Sequence, residues 1–158
     1  MSLDSVRQHL AHIAPDLEIL EATTSTATVT LAAAAHGVEP GRIAKTLGLK
    51  VGEQQLLLVA RGDARLDNRK LKAAFGGKAK LLDAATVEGL TGHPVGGVCP
   101  FGLATPLPVY CDESLKAFDE VLPAAGAIHS AVRLTPERLA ALSEARWVDV
   151  CEVGDQRS

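Results

Sequence analysis

A glycine- and proline-rich segment, residues 91–102, constrains the fold more than any other stretch of the sequence. It holds four glycines and two prolines in twelve positions. Glycine permits unusual backbone conformations and close approaches, and proline fixes the direction of the chain. The segment is therefore predicted to be a shaped loop. Such a loop offers backbone N–H groups to an anion or a carbonyl oxygen, although an ordinary turn between a helix and a strand fits equally well.

The composition predicts one globular domain. The chain has 158 residues, of which 47% are hydrophobic and 22% charged, enough for a sizeable core. We expect a single domain over residues 1–153 and a frayed tail over 154–158. The sequence shows neither a bilayer-length apolar run nor a signal-peptide pattern, so a cytoplasmic protein without a membrane partner is expected. Only 3% of residues are aromatic, which argues against a module that stacks single-stranded bases, and no DNA partner is expected.

The order of predicted elements indicates an α/β fold with a mixed sheet surrounded by helices. Residues 42–51 and 54–60 alternate like the arms of a hairpin. Capping residues and helical spacing predict helices at 2–14, 29–36 (capped from 23–26), 68–75, 84–90 and from 136. Short strands are predicted at 17–21, 81–82, 107–111, 131–134 and 147–153. The glycine-rich segment lacks the spacing of a dinucleotide fingerprint or a P-loop, which excludes those nucleotide folds.

Lys45 lies in an unusual place for a lysine. It has the same alternation phase as Ile43 and Leu47, so it points where a core is expected. Burying an ammonium without a partner costs several kcal/mol. Lys45 therefore either reaches solvent at the end of the strand or meets an anion in a pocket.

Basic side chains concentrate in the middle of the chain. Residues 42–80 hold ten basic and three acidic side chains, a balance of +7, whereas the whole chain carries −3. Such a block is either a solvated face or the footprint of a phosphate-bearing partner. Both interpretations fit the sequence alone.

Neither nucleophilic nor metal-dependent chemistry is favoured by the sequence. Cys99 has His93 or His129 as a candidate base, but Pro100 removes one of the amides that lower a thiol pKa at a helix N-terminus. The three cysteines and five histidines show no metal-ligand spacing. No metal or cofactor is expected, and a Cys99-dependent small-molecule hydrolase stands as one alternative function.

Four motifs in order give the chain a family resemblance. They are Ile-Ala-Lys-Thr-Leu at 43–47, Gly-Asp-Ala-Arg-Leu-Asp at 62–67 followed by Lys-Leu at 70–71, Thr-Gly at 91–92 with Gly-Gly-Val-Cys-Pro-Phe-Gly at 96–102, and Val-Tyr-Cys-Asp at 109–112. Together they resemble the YbaK family of aminoacyl-tRNA deacylases, which is similar to the editing domain inserted in bacterial prolyl-tRNA synthetases. The resemblance covers about residues 21–150. It implies a compact mixed-sheet domain that hydrolyses amino acids wrongly esterified to proline tRNA.

The resemblance also implies a site. Lys45 matches the family's pocket lysine, and Gly97 and Gly102 match the loop whose backbone amides embrace the ester, so these three are the candidate catalytic residues. His129 is similar to the histidine that shapes the aminoacyl pocket in alanine-editing members. The full set of candidate substrate-binding residues is Thr46, Gly96, Cys99, Pro100, Phe101, Gly126 and His129.

This family assignment favours hydrolysis without a side-chain base. Since no triad or paired carboxylates are visible, the reaction would depend on substrate positioning, an oxyanion-stabilising loop and a hydroxyl of the substrate's ribose. The small pocket favours alanine, with cysteine or serine weaker. The expected partners are aminoacyl-tRNA, above all proline tRNA, and prolyl-tRNA synthetase. Candidate contacts to the tRNA backbone are Lys70, Lys72, Lys78 and Lys80. A non-catalytic module that binds aminoacyl-tRNA or a synthetase is a further alternative.

Overall fold

The computed structural model describes residues 2–22, 28–94, 97–127 and 129–153. Its α-helices are α1 (Ser2–Ile13), α2 (Val29–His36), α3 (Asn68–Phe75), α4 (Ala84–Thr91) and α5 (Pro136–Leu142), with 3₁₀ helices at Pro40–Arg42 and Glu113–Ala117. Its strands are β1 (Ile19–Glu21), β2 (Ile43–Val51), β3 (Gln54–Arg61), β4 (Ala64–Leu66), β5 (Ala79–Leu81), β6 (Val109–Asp112), β7 (Leu122–Pro123), β8 (Ser130–Val132), β9 (Arg146–Val148) and β10 (Cys151–Val153). No helix within these ranges is both long and apolar enough to cross a membrane.

The hairpin of β2 and β3 forms the centre of a mixed sheet. Its antiparallel register runs from Val51 opposite Gln54 to Ala44 opposite Arg61. The strand order is β5-β2-β3-β6-β9, and β7 shares the outer edge of β2 with β5. β5 is antiparallel to β2, whereas the pairs β2-β7, β3-β6 and β6-β9 are parallel. The antiparallel pairs β1-β8 and β4-β10 form two further small sheets. This arrangement confirms the predicted α/β fold class with a mixed sheet.

The alternation along β3 divides the core in two. Leu57 and Val59 face a larger core that also receives α1, while Leu56, Leu58 and Ala60 face a smaller core that also receives α3. All five side chains are buried. β3 is thus apolar on both faces, as expected for a central strand with parallel and antiparallel neighbours.

Helices begin where the sequence places capping residues. Asp67, Asp83 and Thr135 accept backbone N–H bonds at the starts of α3, α4 and α5. α2 is capped by Thr28, whose hydroxyl accepts from the backbone N–H of Leu31 at 3.1 Å. The expected capping run at 23–26 lies outside the described residues, as do Gly96 and the tail at 154–158.

The carboxyl-terminal part differs from the prediction. Residues 147–153 contribute to two strands rather than one, since β9 joins β6 and β10 joins β4. The backbone N–H of Val150 donates to the Asp112 carboxylate at 2.8 Å, which holds the chain between the two strands. β4 was not predicted, because a strand of three residues leaves too short an alternation to recognise.

Candidate functional site

A gap along the outer edge of β2 opens into a cavity. β7 pairs with Ile43 and Ala44, and β5 pairs with residues 49–51, so no described strand covers residues 45–47 on that edge. Leu82 N–H donates to the Gly48 carbonyl at 2.9 Å, which shows that Gly48 directs its backbone groups to this side. Because these directions alternate along an antiparallel ladder, the N–H and C=O of Thr46 point into the gap.

The cavity has a volume of ≈ 420 Å³ and mostly apolar walls. They come from α2, from residues 43–48 of β2, from the β5–α4 region, from Val98 and from β7 and β8. Polar side chains among the described lining residues are Thr28, His36, Lys45, Thr46 and Ser130, and no carboxylate is among them. A cavity of this size with few polar groups is typical of a site for a small organic ligand.

Small residues set the shape of these walls. A Cβ on Gly48 would lie 2.7 Å from Cγ2 of Val87, so glycine lets α4 pack directly on β2. Ala32 of α2 also lines the cavity. Beside β8, the Ser130 hydroxyl donates to the Ala127 carbonyl at 2.7 Å and accepts from its N–H at 3.1 Å. This turn fixes the wall next to β7.

Lys45 lines the cavity and is held by backbone carbonyls. Its Nζ donates to Gly62 O at 3.2 Å and to Ala64 O at 2.5 Å. Burial lowers the pKa of Lys45, and the neighbouring Asp63 carboxylate acts in the opposite direction. An ammonium has three donors, so two bonds to carbonyls leave one N–H for a ligand. The expected inward phase of Lys45 therefore holds, and its partners are carbonyls of the β3–β4 turn.

The β3–β4 turn that supplies these carbonyls is itself tightly held. Arg61 forms a two-bond ion pair with Asp63, at 2.5 and 2.8 Å, and its guanidinium lies 4.8 Å from the centre of the Phe118 ring. A Cβ on Gly62 would approach Pro40 O to 2.3 Å, which leaves no room for a side chain. The Gly-Asp motif at 62–63 thus places the carbonyls that position Lys45.

Gly97 and Gly126 bring the glycine-rich segment against the turn before β8. Gly126 N–H donates to Gly97 O at 2.9 Å, and a Cβ on Gly97 would lie 2.5 Å from Ala127 N. The N–H of Gly97 donates to Pro94 O at 2.9 Å. Both amides are therefore engaged within the protein, and among the described residues of this segment Val98 reaches the cavity.

Residues 99–102 of the segment pack against the protein interior. Cys99, Pro100 and Phe101 are buried, and Cys99 and Phe101 belong to the larger core. Gly102 packs under α1, where a Cβ would lie 2.9 Å from the Ser5 carbonyl carbon. None of these four residues lines the cavity. The structure thus gives them packing contacts and leaves them outside the cavity lining.

The Cys99 thiol is unsuited to nucleophilic catalysis. Burial raises its pKa to about 12, so the thiolate is negligible near neutral pH. His93 Nε2 lies 3.7 Å from the thiol but 2.7 Å from Phe101 O. Since a carbonyl only accepts, that nitrogen carries the proton and donates, and it cannot also accept a proton from the thiol.

His129 lies beside the cavity wall without lining it. It is exposed, with φ +83°, and its carbonyl accepts from Ala22 N–H at 2.6 Å. Its neighbour Ser130 lines the cavity instead, as does His36 at the end of α2. Sequence reasoning missed His36. The available signal was a single polar residue at the end of an alanine-rich helix.

The four candidate lysines differ in their surroundings. Lys72, Lys78 and Lys80 are exposed, and Lys80 lies directly opposite the exposed Lys50 in the β2–β5 register. Lys70 Nζ instead contacts Asp149 at 2.9 Å and Cys151 O at 3.0 Å. Like charges opposite each other in a sheet are unfavourable without an anion.

Comparison with known proteins gives this site a family context. The family model for the aminoacyl-tRNA editing domain matches residues 23–142, which include Lys45, His36 and Val98. The chain is 47% identical to the uncharacterized protein YwhH of Bacillus subtilis over 154 residues, 96% of this chain and 98% of that protein. It is also 35% identical to the proline–tRNA ligase of Brachyspira hyodysenteriae over 80 residues, 49% of this chain and 14% of the ligase.

A solved structure agrees over nearly the whole chain. It belongs to a protein assigned provisionally as a trans-editing enzyme for prolyl-tRNA synthetase, with a TM-score of 0.87 and 36% sequence identity. The likeness covers 96% of this chain and 97% of that one. The motif at 43–47 of β2 and Val98 of the glycine-rich segment, which line the cavity, lie inside the matched residues. The chain therefore belongs to the aminoacyl-tRNA editing domain family, and its role lies in tRNA editing.

Proposed function

We propose that the protein is an aminoacyl-tRNA deacylase, which acts in trans on the ester of a small amino acid, such as alanine or cysteine, on mischarged proline tRNA. The observation that carries the proposal is the ≈ 420 Å³ cavity that Lys45 helps to line. It has room for an aminoacyl ester, and its opening exposes a backbone N–H of β2. The family assignment supplies aminoacyl-tRNA as the ligand class.

The cavity walls favour a small, uncharged side chain. No described lining residue is acidic, so a cationic side chain would lose its hydration without gaining a counter-charge. One methylene changes binding by only about 1–3 kcal/mol, so discrimination by size is strongest when the larger side chain is excluded by rigid walls. The close packing of Gly48 on Val87 provides such a wall.

The proposed reaction is hydrolysis of the ester. A water oxygen adds to the ester carbonyl carbon, the bond to the ribose oxygen breaks, and that oxygen regains a proton as the amino acid leaves. The negative charge on the carbonyl oxygen in the transition state is stabilised by Lys45 and the Thr46 N–H. Preorganised donors of this kind are worth about 10²–10³ in rate. A hydroxyl of the substrate's ribose relays the proton, and no described lining residue is a carboxylate that could take this role.

We assign contacts with the tRNA phosphate backbone to the exposed lysines. Lys72, Lys78 and Lys80 lie on or next to α3 and β5, and β5 borders the cavity. Each phosphate contact releases counterions, so binding should weaken as salt rises. Lys70 contributes less, because Asp149 already holds it.

Deacylation of a panel of aminoacylated proline tRNAs tests the proposal. Alanyl and cysteinyl esters should be hydrolysed at protein-dependent rates, while the cognate prolyl ester persists. Binding of these tRNAs without hydrolysis would instead indicate a non-catalytic module. Hydrolysis that iodoacetamide abolishes would indicate a cysteine hydrolase.

A further inference from the structure

Lys45 borders two cavities, and neither offers it a negative charge. Besides the ≈ 420 Å³ cavity, it lines a second one of ≈ 340 Å³, together with Arg65, Cys151 and four apolar residues. No described lining residue of either cavity is a carboxylate. A partly buried ammonium is costly without an opposite charge nearby. The counter-charge of Lys45 therefore has to come from a residue outside both linings.

The β3–β4 turn supplies a carboxylate beside the ammonium. Asp63 is the residue between Gly62 and Ala64, whose carbonyls accept the two hydrogen bonds from Lys45 Nζ. Burial lowers the pKa of Lys45, and the negative charge of Asp63 acts to raise it. The hydrogen bonds from Arg61, and to a smaller extent the Lys45 charge, lower the pKa of Asp63, so this carboxyl is ionised at neutral pH.

The other titratable groups around Lys45 supply no net negative charge near pH 8. Arg65 contacts Glu152 across the β4–β10 pair at 3.5 Å, and both side chains are more than half exposed, so solvent screens them. Cys151 acts on Lys45 from β10, but burial raises the pKa of its thiol to about 12, so it is neutral. Burial lowers the pKa of His36, on the lining of the larger cavity, which is neutral as well. The carboxylate of the turn is left as the counter-charge.

The Asp63 carboxylate is fixed in place. Arg61 donates to both of its oxygens, at 2.5 and 2.8 Å. The ring of Phe118 lies 4.8 Å from the Arg61 guanidinium and 5.1 Å from that of Arg42, measured to the ring centre. A two-bond pair between arginine and a carboxylate sets geometry as well as energy. The pair therefore holds the turn, and with it the two carbonyls, in one arrangement.

We propose that Asp63 is a positioning residue that acts through Lys45: with Arg61 it holds the two carbonyls that orient the ammonium, and its carboxylate supplies the counter-charge. The inference rests on the proposed function for its effect on rate, whereas its electrostatic part concerns Lys45 alone. Without this carboxylate, the ammonium would lose its proton at lower pH and would be held less firmly. A neutral amine would not stabilise the charge that develops on the ester oxygen.

Asp63→Asn tests the inference, because the amide keeps the shape of the side chain and removes its charge. We expect kcat/KM for alanyl-tRNA to fall by about 10–100-fold, since a misplacement of 1 Å can cost about 100-fold. The alkaline limb of the pH–rate profile should move to lower pH, because an influence that raises the pKa of Lys45 is removed. Asp63→Glu, which keeps the charge, should restore part of the rate. A wild-type rate and pH profile in Asp63→Asn would overturn the inference.

Asp16→Asn is the matched control. Asp16 also accepts two hydrogen bonds from one arginine, Arg138, at 2.5 and 2.6 Å, and it belongs to the lining of neither cavity. The same change at this position should leave the rate and the pH profile close to wild type. An equal loss of rate in both variants would reveal a general effect on folding and would count against Asp63.

A double-mutant cycle with Lys45→Met separates positioning from a general structural role. If Asp63 acts through Lys45, Asp63→Asn should lower kcat/KM in the wild-type background but by less than about 2-fold in the Lys45→Met background. The same loss in both backgrounds would mean that Asp63 acts independently of Lys45.

NMR titration of the lysine ¹³Cε resonances measures the pKa of Lys45 without any substrate. The Lys45 signal is assigned by its loss in Lys45→Met. Its pKa should be lower in Asp63→Asn than in the wild-type protein and unchanged in Asp16→Asn; an unchanged value in Asp63→Asn would refute the electrostatic role. If the wild-type protein hydrolyses no ester, the proposed function fails, and this titration still decides whether Asp63 supplies the counter-charge.

Discussion

Replacement of Lys45 by Met should separate catalysis from stability. Met has a similar length and keeps the apolar stem, but it removes the ammonium that donates to Gly62 and Ala64. Two hydrogen bonds from a charged donor contribute about 1.5–3 kcal/mol each. The effective cost of desolvating one ion is also several kcal/mol. The two effects oppose each other, and we expect the free energy of unfolding to change by less than about 2 kcal/mol.

The sign of the desolvation effect follows from the pKa. Because the pKa of Lys45 is lower in the folded protein than in the unfolded chain, the unfolded state holds its proton more tightly. At any pH at which both states hold this proton, the folded state bears the full cost of the buried ammonium. Met removes this cost, and with it the pH dependence of stability that appears as the pH rises through the lowered pKa.

Catalysis should respond much more strongly than stability. Loss of a charge that stabilises the transition state should lower kcat/KM for alanyl-tRNA by about 100-fold or more. Urea denaturation gives the free energy of unfolding, and acid-precipitable radiolabelled aminoacyl-tRNA gives the rate. Lys116→Met is the control, because Lys116 pairs with Glu113 and lies 4.3 Å from the Trp147 ring centre, away from the cavity lining. A Lys45→Met protein with wild-type kcat/KM would refute the catalytic role of this lysine.

Three further predictions test the packing, the charges and the thiol. Gly62→Ala should lower the free energy of unfolding by about 1–3 kcal/mol through overpacking, because the new Cβ would meet the Pro40 carbonyl; an unchanged thermal melt would contradict this. Lys80→Ala should reduce the log–log salt slope of tRNA binding by about 0.7–0.9, whereas Lys70→Ala, whose lysine pairs with Asp149, should leave it nearly unchanged; equal effects would contradict the assignment. Native protein should retain deacylase activity in iodoacetamide at pH 8, since the pKa of the buried Cys99 thiol is about 12; rapid inactivation traced to Cys99 by mass spectrometry would show the thiol to be reactive.

Much of the fold follows from local sequence signals. The hairpin of β2 and β3 and the caps at Asp67, Asp83 and Thr135 are recognisable because alternation and capping are properties of neighbouring residues. The four ordered motifs likewise identify the family, which the match over residues 23–142 confirms. The alternation of residues 43–47 is also a local signal. It predicts that Lys45 points inward, and Lys45 does line the cavity.

The composition of the site was decided by tertiary structure. The glycine-rich segment looked like a ligand loop, yet Cys99 and Phe101 are buried in the larger core and Val98 alone among its described residues lines the cavity. The side of a loop that faces a ligand depends on what packs against its other side. Here α1 packs against Gly102, and the turn at Gly126 packs against Gly97.

The cavity itself has no signature in any single stretch of sequence. It exists because β5 and β7, distant along the chain, cover only the two ends of one edge of β2. The same gap brings His36 and Thr46 to one cavity. The sequence by itself determined most of the helices and the central hairpin, the family, and the inward direction of Lys45. Tertiary structure determined which side chains line the cavity, because residues far apart in the chain become neighbours only when the sheet and its helices are assembled.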